Sequence, residues 1–320
     1  MHSNGHGFIE GGDLLKLIVP SRNFFLPPLI FGGSLSMIYA HPGIGKTWFT
    51  LWLSAALAAK GDFLRWRCSK AAKVFYIDSE MGQAQLKPRF EQIVNFAEFD
   101  IPEGQIFFCT PDHFHSYQVP NLATEEGQDW YSEYTKDAEI IIIDNLGSAS
   151  APVSPRETEE QTWLRILPWF LKQRSEGRAV ILVHHAGKSG AQLGTSRREQ
   201  PLDLILKLSR PTDYDATEGC KFNITFDKAR HMSGPDLEGL LVKLIYTDSE
   251  MRWDWKLATN VVLDRIESML RAGVKDYQIL RDINRDMLWT QAQISKIKRK
   301  IGKTKAMYDP DKENDEADSF

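Results

Sequence analysis

From about residue 34 to residue 184, short apolar runs alternate with longer segments whose apolar residues recur at helical spacing. The runs predict strands at Ser34–Tyr39, Val74–Asp78, Ile106–Thr110, Ile140–Asp144 and Val180–His184. Helical spacing falls between them, at Lys46–Ala59, Gln83–Phe99 and Glu157–Arg174. The runs are almost continuously apolar, Ile140-Ile141-Ile142-Ile143 most of all, so each strand is expected to be buried on both faces. That is the pattern of an α/β fold with a parallel sheet covered by helices. After residue 200 the connections shorten. Leu204–Leu208, Phe222–Phe226, Leu241–Tyr246 and Arg252–Trp255 read as antiparallel strands extending the same sheet.

Near Lys256 the period changes again. Leu263, Ile266 and Leu270, then Ile279 and Ile283, then Ile294, Ile297 and Ile301 predict three short helices in a small, helix-turn-helix-like bundle. Beyond Lys305 the chain lacks core-forming residues and is rich in Asp and Glu, which predicts a disordered tail. The expected organisation is an N-terminal arm (1–23), a core (24–256), a helical bundle (257–305) and an acidic tail (306–320).

Across 320 residues, 42% are hydrophobic and 26% charged, which excludes wholesale disorder. A net charge of −4, taken whole, argues against a nucleic-acid binder, but the sum conceals its parts. Residues 256–305 hold twelve Lys/Arg against five Asp/Glu, residues 309–320 carry −5, and the core is acidic. A strand of DNA would meet the parts, never the sum. Cys68, Cys109 and Cys220 are far apart and show no metal or disulfide spacing, so they read as free thiols in a reducing cytoplasm. No formal charge occurs from Asn23 to Gly45, but Pro27, Pro28, Gly32, Gly33, Pro42 and Gly43 break the stretch. Its apolar runs are too short to span a bilayer, so a soluble cytoplasmic protein without a membrane partner is expected. His113 and His115 have no further ligands in pattern and read as a surface turn.

Ala40-His41-Pro42-Gly43-Ile44-Gly45-Lys46-Thr47 stands between a strand and a helix. It fits the P-loop pattern with alanine for the first glycine. Gly43 and Gly45 let backbone N–H groups converge on phosphate oxygens, and the helix presents its positive end to the same charge. Lys46 would reach the β- and γ-phosphates of ATP, and Thr47 would ligate Mg²⁺. Asp144, at the end of a buried strand expected beside the P-loop strand, would be the second group at the metal, as a Walker B acid. AAA+ ATPases usually carry a glutamate directly after that aspartate, but here the next residue is Asn145. The base must then come from elsewhere. Glu80, at the end of Val74-Phe75-Tyr76-Ile77-Asp78-Ser79-Glu80, is the candidate.

These motifs, taken in order, resemble the RecA-like ATPases, and most closely the RepA type of plasmid and phage replicative helicases. The resemblance continues through Val183-His184-His185-Ala186-Gly187-Lys188-Ser189-Gly190 and Gly194-Thr195-Ser196 to Lys228-Ala229-Arg230, about three quarters of the chain. It implies a homo-oligomeric ring, a hexamer, with ATP between subunits and single-stranded DNA in the channel. An initiator or primase would be a further partner. Residue by residue it makes Glu80 the catalytic base and His185 the γ-phosphate sensor, with His184 the second candidate. Lys228 and Arg230 become a finger reaching the neighbouring subunit. Their spacing of two on a strand would point both the same way. Arg89 is a further candidate near the phosphates. The polar segment 187–199, with Lys188, Arg197 and Arg198, would touch the DNA backbone. In the bundle, Lys296, Lys298, Arg299 and Lys300 lie off the apolar stripe and are candidate nucleic-acid contacts, or merely a solvated face. A DNA-binding regulator or recombination mediator on the same core, without unwinding, is the alternative, and a P-loop kinase a more distant one.

Overall fold

A computed structural model of the chain describes residues 8–19, 21–186, 196–283, 294, 295 and 297–299. Nine strands form the main sheet: β1 (Leu35–Ala40), β2 (Val74–Asp78), β3 (Ile106–Cys109), β4 (Ile140–Asp144), β5 (Ala179–His185), β6 (Leu204–Ser209), β7 (Lys221–Ala229), β8 (Leu240–Tyr246) and β9 (Met251–Leu257). Their order is β9-β8-β7-β6-β1-β5-β4-β2-β3. The pairs β2–β3, β2–β4 and β4–β5 are parallel, whereas β6–β7, β7–β8 and β8–β9 are antiparallel. The fold is therefore the expected α/β core, mainly parallel and extended by antiparallel strands.

One expectation fails. The strand carrying Asp144 is not beside the P-loop strand, because β5 lies between β1 and β4. Both strands are equally apolar, and an apolar run does not encode which neighbour it takes.

The chain divides into two compact units. The first comprises the described residues of Met1–Met37, Trp48–His184 and Gly194–Asp203. Its centre is β4, whose four isoleucines, Ile140 to Ile143, are at most 1% exposed. Each such side chain contributes about 1.5–3 kcal/mol by leaving water. Register is set by side-by-side pairs, Ile77 with Ile143 and Asp78 with Asp144, so two carboxylates end neighbouring strands. Helices α1 (Lys46–Ala59), α2 (Gln83–Ala97), α3 (Glu125–Tyr134) and α4 (Glu159–Ser175) connect the strands. Most of α1 is buried all round, with Phe49, Leu51, Leu57 and Ala55 at 0% exposure. α4 starts two residues later than its periodicity predicts, because Thr158 and Gln161 form a reciprocal capping box. The periodicity does not predict α3, which is short and buries Gly127 and Tyr131.

The second unit comprises the described residues of Ile38–Thr47, His185–Leu193 and Leu204–Phe320. Strands β6 to β9 form an antiparallel meander. The β6–β7 register slips between Ile205 and Leu206, leaving Asp227 as the extra residue, and Asp227 accepts a hydrogen bond from the Tyr39 hydroxyl on β1. After β9 come α5 (Ala258–Arg271) and α6 (Asp276–Ile283). Ile266, Ile279, Ile283 and Ile294 make a separate small core, with Val262, Met269, Leu270 and Ile297 around it. These are largely the positions that the helical spacing selects. The acidic tail, Ile301, Lys188, Lys296, Lys300 and the side chain of Arg197 lie outside the described residues.

Candidate nucleotide site

The P-loop leaves β1 at Ala40 and enters α1 at Lys46. Gly43 has φ +72° and Gly45 φ +112°, conformations that glycine adopts without cost. At Gly45 a side chain is excluded twice over, since a Cβ would stand 2.1 Å from the Cys220 Sγ. Ala40 keeps strand geometry, so the missing first glycine changes little; its carbonyl accepts from the Ala186 N–H at 2.9 Å. Lys46 is 7% exposed. Its ammonium donates to the carbonyls of Ala40 (3.1 Å) and His41 (3.2 Å) and lies 3.1 Å from His185 Nδ1.

The acidic group is built in the first unit. The Asp144 carboxylate accepts from the Tyr76 hydroxyl at 2.6 Å and the Thr50 hydroxyl at 3.3 Å. Tyr76 is fully buried, and burial, reinforced by the Asp144 charge, pushes its phenol up and keeps it a donor. Thr50 sits three residues after Thr47 on α1, one turn along the same face. Ser79 donates its N–H to the Asp144 carbonyl at 2.8 Å and bridges to the Asn145 backbone through its hydroxyl. Asp78 is no ligand candidate. Its carboxylate accepts the N–H groups of Glu80, Met81 and Gly82 at 3.0, 3.0 and 3.1 Å, and burial raises its pKa against those bonds. This closed turn holds up Glu80, which is exposed and accepts from the Ser148 hydroxyl at 3.2 Å. Arg89 donates to the Met81 sulfur and lies 5.3 Å from the Trp48 ring centre.

The two histidines ending β5 have different partners. His185 meets Lys46; His184 is buried, its Nε2 3.3 Å from Arg198 Nη1. Arg198, a candidate DNA contact in the sequence, meets protein groups in the structure. Arg198 is 5% exposed, donates to the Glu159 carbonyl at 2.6 Å and pairs with the Glu159 carboxylate at 3.4 Å. Burial holds its guanidinium below the usual range, opposed by Glu159. A side chain so enclosed is engaged by protein partners at both nitrogens of its fork.

Lys228 lies in β7, but Arg230 is one residue beyond its end, in a turn. Strand alternation is therefore given by the strand for Lys228 and not for Arg230. Lys298 pairs with Asp276 at 2.9 Å, and Arg299 reaches the Ser295 carbonyl at 3.4 Å. Among the described residues no cluster of three or more His, Cys, Asp or Glu could hold a metal. His113 is engaged otherwise, its Nδ1 accepting from the Thr110 N–H at 3.2 Å. No described helix is long and apolar enough to cross a membrane.

The glycine-rich loop between β1 and α1 has the P-loop pattern and stands in an α/β fold with a mainly parallel sheet. A family model described as an AAA domain matches residues 12–191, more than half of the chain, and the chain belongs to that family. Asn145 is nonetheless where a glutamate usually stands in AAA+ ATPases. The chain is similar to the DNA repair protein RadA of Halalkalibacterium halodurans, 26% identical over 185 residues, which are 55% of this chain and 33% of that protein. RadA of Campylobacter jejuni is 24% identical over 176 residues, 54% and 33% of the two chains. The match thus spans about a third of these relatives' length. Similar solved structures include a KaiC-like protein from Pyrococcus horikoshii (TM-score 0.45, 15% identity, 71% of this chain and 93% of that one). The flagellar accessory protein FlaH from Methanocaldococcus jannaschii (TM-score 0.47, 11% identity, 70% and 90%) and the RadB recombinase (TM-score 0.46, 14% identity, 71% and 91%) are others.

Proposed function

We propose that this chain is a Mg²⁺-dependent ATPase that works as a homo-oligomeric ring, a hexamer, on single-stranded DNA. It would be a cytoplasmic helicase or translocase in replication of a mobile element, with an initiator or primase as protein partner. One observation carries the reading: Lys46 of the P-loop meets His185 at 3.1 Å, two residues before the glycine-rich, basic segment that begins at Gly187. A change at the phosphates has a covalent path of two residues to that segment.

The roles follow from the chemistry. The backbone N–H groups of residues 43–47 and the helix end would cradle the phosphates, with Lys46 neutralising their charge. The Thr47 hydroxyl and the Asp144 carboxylate are hard oxygen donors of the kind Mg²⁺ takes. When bound there, Mg²⁺ would neutralise charge on the phosphoryl oxygens. Glu80, oriented by Ser148, would accept the proton of the attacking water. Lys228 and Arg230 would act on a neighbouring subunit's nucleotide, and segment 187–199 on the DNA backbone.

ATP turnover with and without single-stranded DNA, native mass and strand displacement test this together. The expected results are DNA-stimulated turnover, a ring mass and ATP-dependent release of an annealed strand. Mixed subunits add a sharper test, because Arg230→Ala and Glu80→Ala chains should recover turnover together if finger and base belong to different subunits. Absence of recovery rejects a finger acting in trans. The similarity to two RadA proteins favours one second reading, an ATP-dependent recombination mediator that binds DNA without unwinding it. Stimulated turnover with no strand displacement would select it. Turnover without a phosphoryl acceptor excludes a kinase.

A further inference from the structure

We propose that Arg210 and Cys220 are positioning residues for the P-loop, holding its carbonyl groups turned away so that its N–H groups face the phosphates. The inference rests on the P-loop reading above and assigns a role to residues outside the motif.

In a loop that binds an anion through converging N–H groups, the carbonyls of the same peptides point the other way and need donors of their own. The connection between β6 and β7 supplies them. Arg210 Nη2 donates to the Gly43 carbonyl at 2.9 Å, and the Cys220 thiol donates to the Ile44 carbonyl at 3.6 Å. Cys220 also occupies the space where any Gly45 side chain would stand. Two successive P-loop carbonyls are thus held, and the space beside the next residue filled, by one connection.

Arg210 is itself fixed. Its Nη1 donates to the carbonyls of Gly219 and Lys221, both at 3.1 Å. Its guanidinium lies 3.8 Å from the Tyr214 ring centre, and the Tyr214 hydroxyl donates to the same Gly219 carbonyl at 2.9 Å. One planar fork serves the hairpin with one nitrogen and the P-loop with the other, which a lysine ammonium on a flexible stem cannot reproduce. The positive charge at the loop also favours an anionic ligand.

Such a brace acts alike on bound ATP, bound ADP and the transition state, because all need the same array of N–H groups. Removing it should therefore raise KM and Kd while leaving kcat nearly unchanged. The experiment uses the full chain with ADP and Mg²⁺ in calorimetry and ATP in turnover. The loss of one charge-assisted hydrogen bond predicts that Arg210→Ala raises the ADP Kd and the ATP KM each about 10-fold, with kcat within about 2-fold. Arg210→Lys should recover part of the loss, and Cys220→Ala should weaken ADP about 2- to 3-fold through Ile44 alone. Melting of the nucleotide-free variants checks folding; if Arg210→Ala does not fold, Arg210→Lys and Cys220→Ala carry the test. ADP and ATP constants unchanged in all three variants, while Lys46→Ala loses both nucleotides, would overturn the inference and leave the P-loop reading standing. So would a fall in kcat with KM unchanged. A wild-type chain that binds neither nucleotide overturns both.

Discussion

The Nδ1 of His185 stands 3.1 Å from the Nζ of Lys46. An ammonium only donates, so in this contact Nδ1 stands on the acceptor side. The end of β5 is therefore hydrogen-bonded to the group expected to meet the triphosphate. Lys46→Ala should reduce turnover at least about 100-fold, the cost of losing one donor aimed at developing charge. His185→Ala should bind ADP normally yet lose most of its stimulation by single-stranded DNA. A His185→Ala chain stimulated like wild type would remove His185 from the coupling path.

Tyr76 donates to Asp144 at 2.6 Å from a fully buried position. Tyr76→Phe keeps the shape and removes the hydroxyl that donates to Asp144 and lies 2.9 Å from the Thr50 hydroxyl. It should lower stability by about 1.5–3 kcal/mol, the range for a hydrogen bond to a charged group. If Asp144 serves the metal, the Mg²⁺ concentration for half-maximal turnover should shift about 10-fold, as outer-shell changes do. A Mg²⁺ titration showing no shift would leave Tyr76 a packing residue only.

Arg198→Ala separates a structural arginine from a DNA-binding one. Its partner Glu159 is 59% exposed, so removing Arg198 strands no buried carboxylate, and the loss is that of its own hydrogen bonds. The expected destabilisation is about 1.5–3 kcal/mol in denaturant unfolding. A DNA phosphate contact would instead reduce affinity and salt dependence with stability unchanged.

Burial pushes each of the three thiols, Cys68, Cys109 and Cys220, from 9.0 up to about 12. At pH 8 the folded chain should react slowly with a disulfide reagent, and all three thiols should react once guanidinium is added. The same shifts link stability to pH. The raised folded values favour the neutral thiols, so that contribution is complete below pH 9 and is lost as pH rises from about 9 to about 12. Replacing the three cysteines with alanine should flatten that part of the stability profile.

Much of the core was legible because strong local signals and the fold agree. Residues 140–144 are apolar to the last position and end in a carboxylate, and they form β4 as the run predicts. The P-loop was legible because its chemistry is local; Gly43, Gly45 and Lys46 are within four residues. Thr50 has a local signal, one helical turn from Thr47. Arg210 and Cys220 had none, since they lie more than 160 residues from the carbonyls they meet.

The sequence by itself determined the strand and helix periods, the phosphate loop, the carboxylates at strand ends and the segregation of charge, because each depends on residues near one another in the chain. Only the tertiary structure decided that β5 separates β1 from β4, that Arg198 is buried and Arg230 lies past its strand, and that His184 and His185 serve different partners. Those outcomes depend on which apolar faces pack together. Apolar burial is non-directional and does not encode the neighbour; hydrogen bonds do, but only once the packing has brought their partners within about 3 Å.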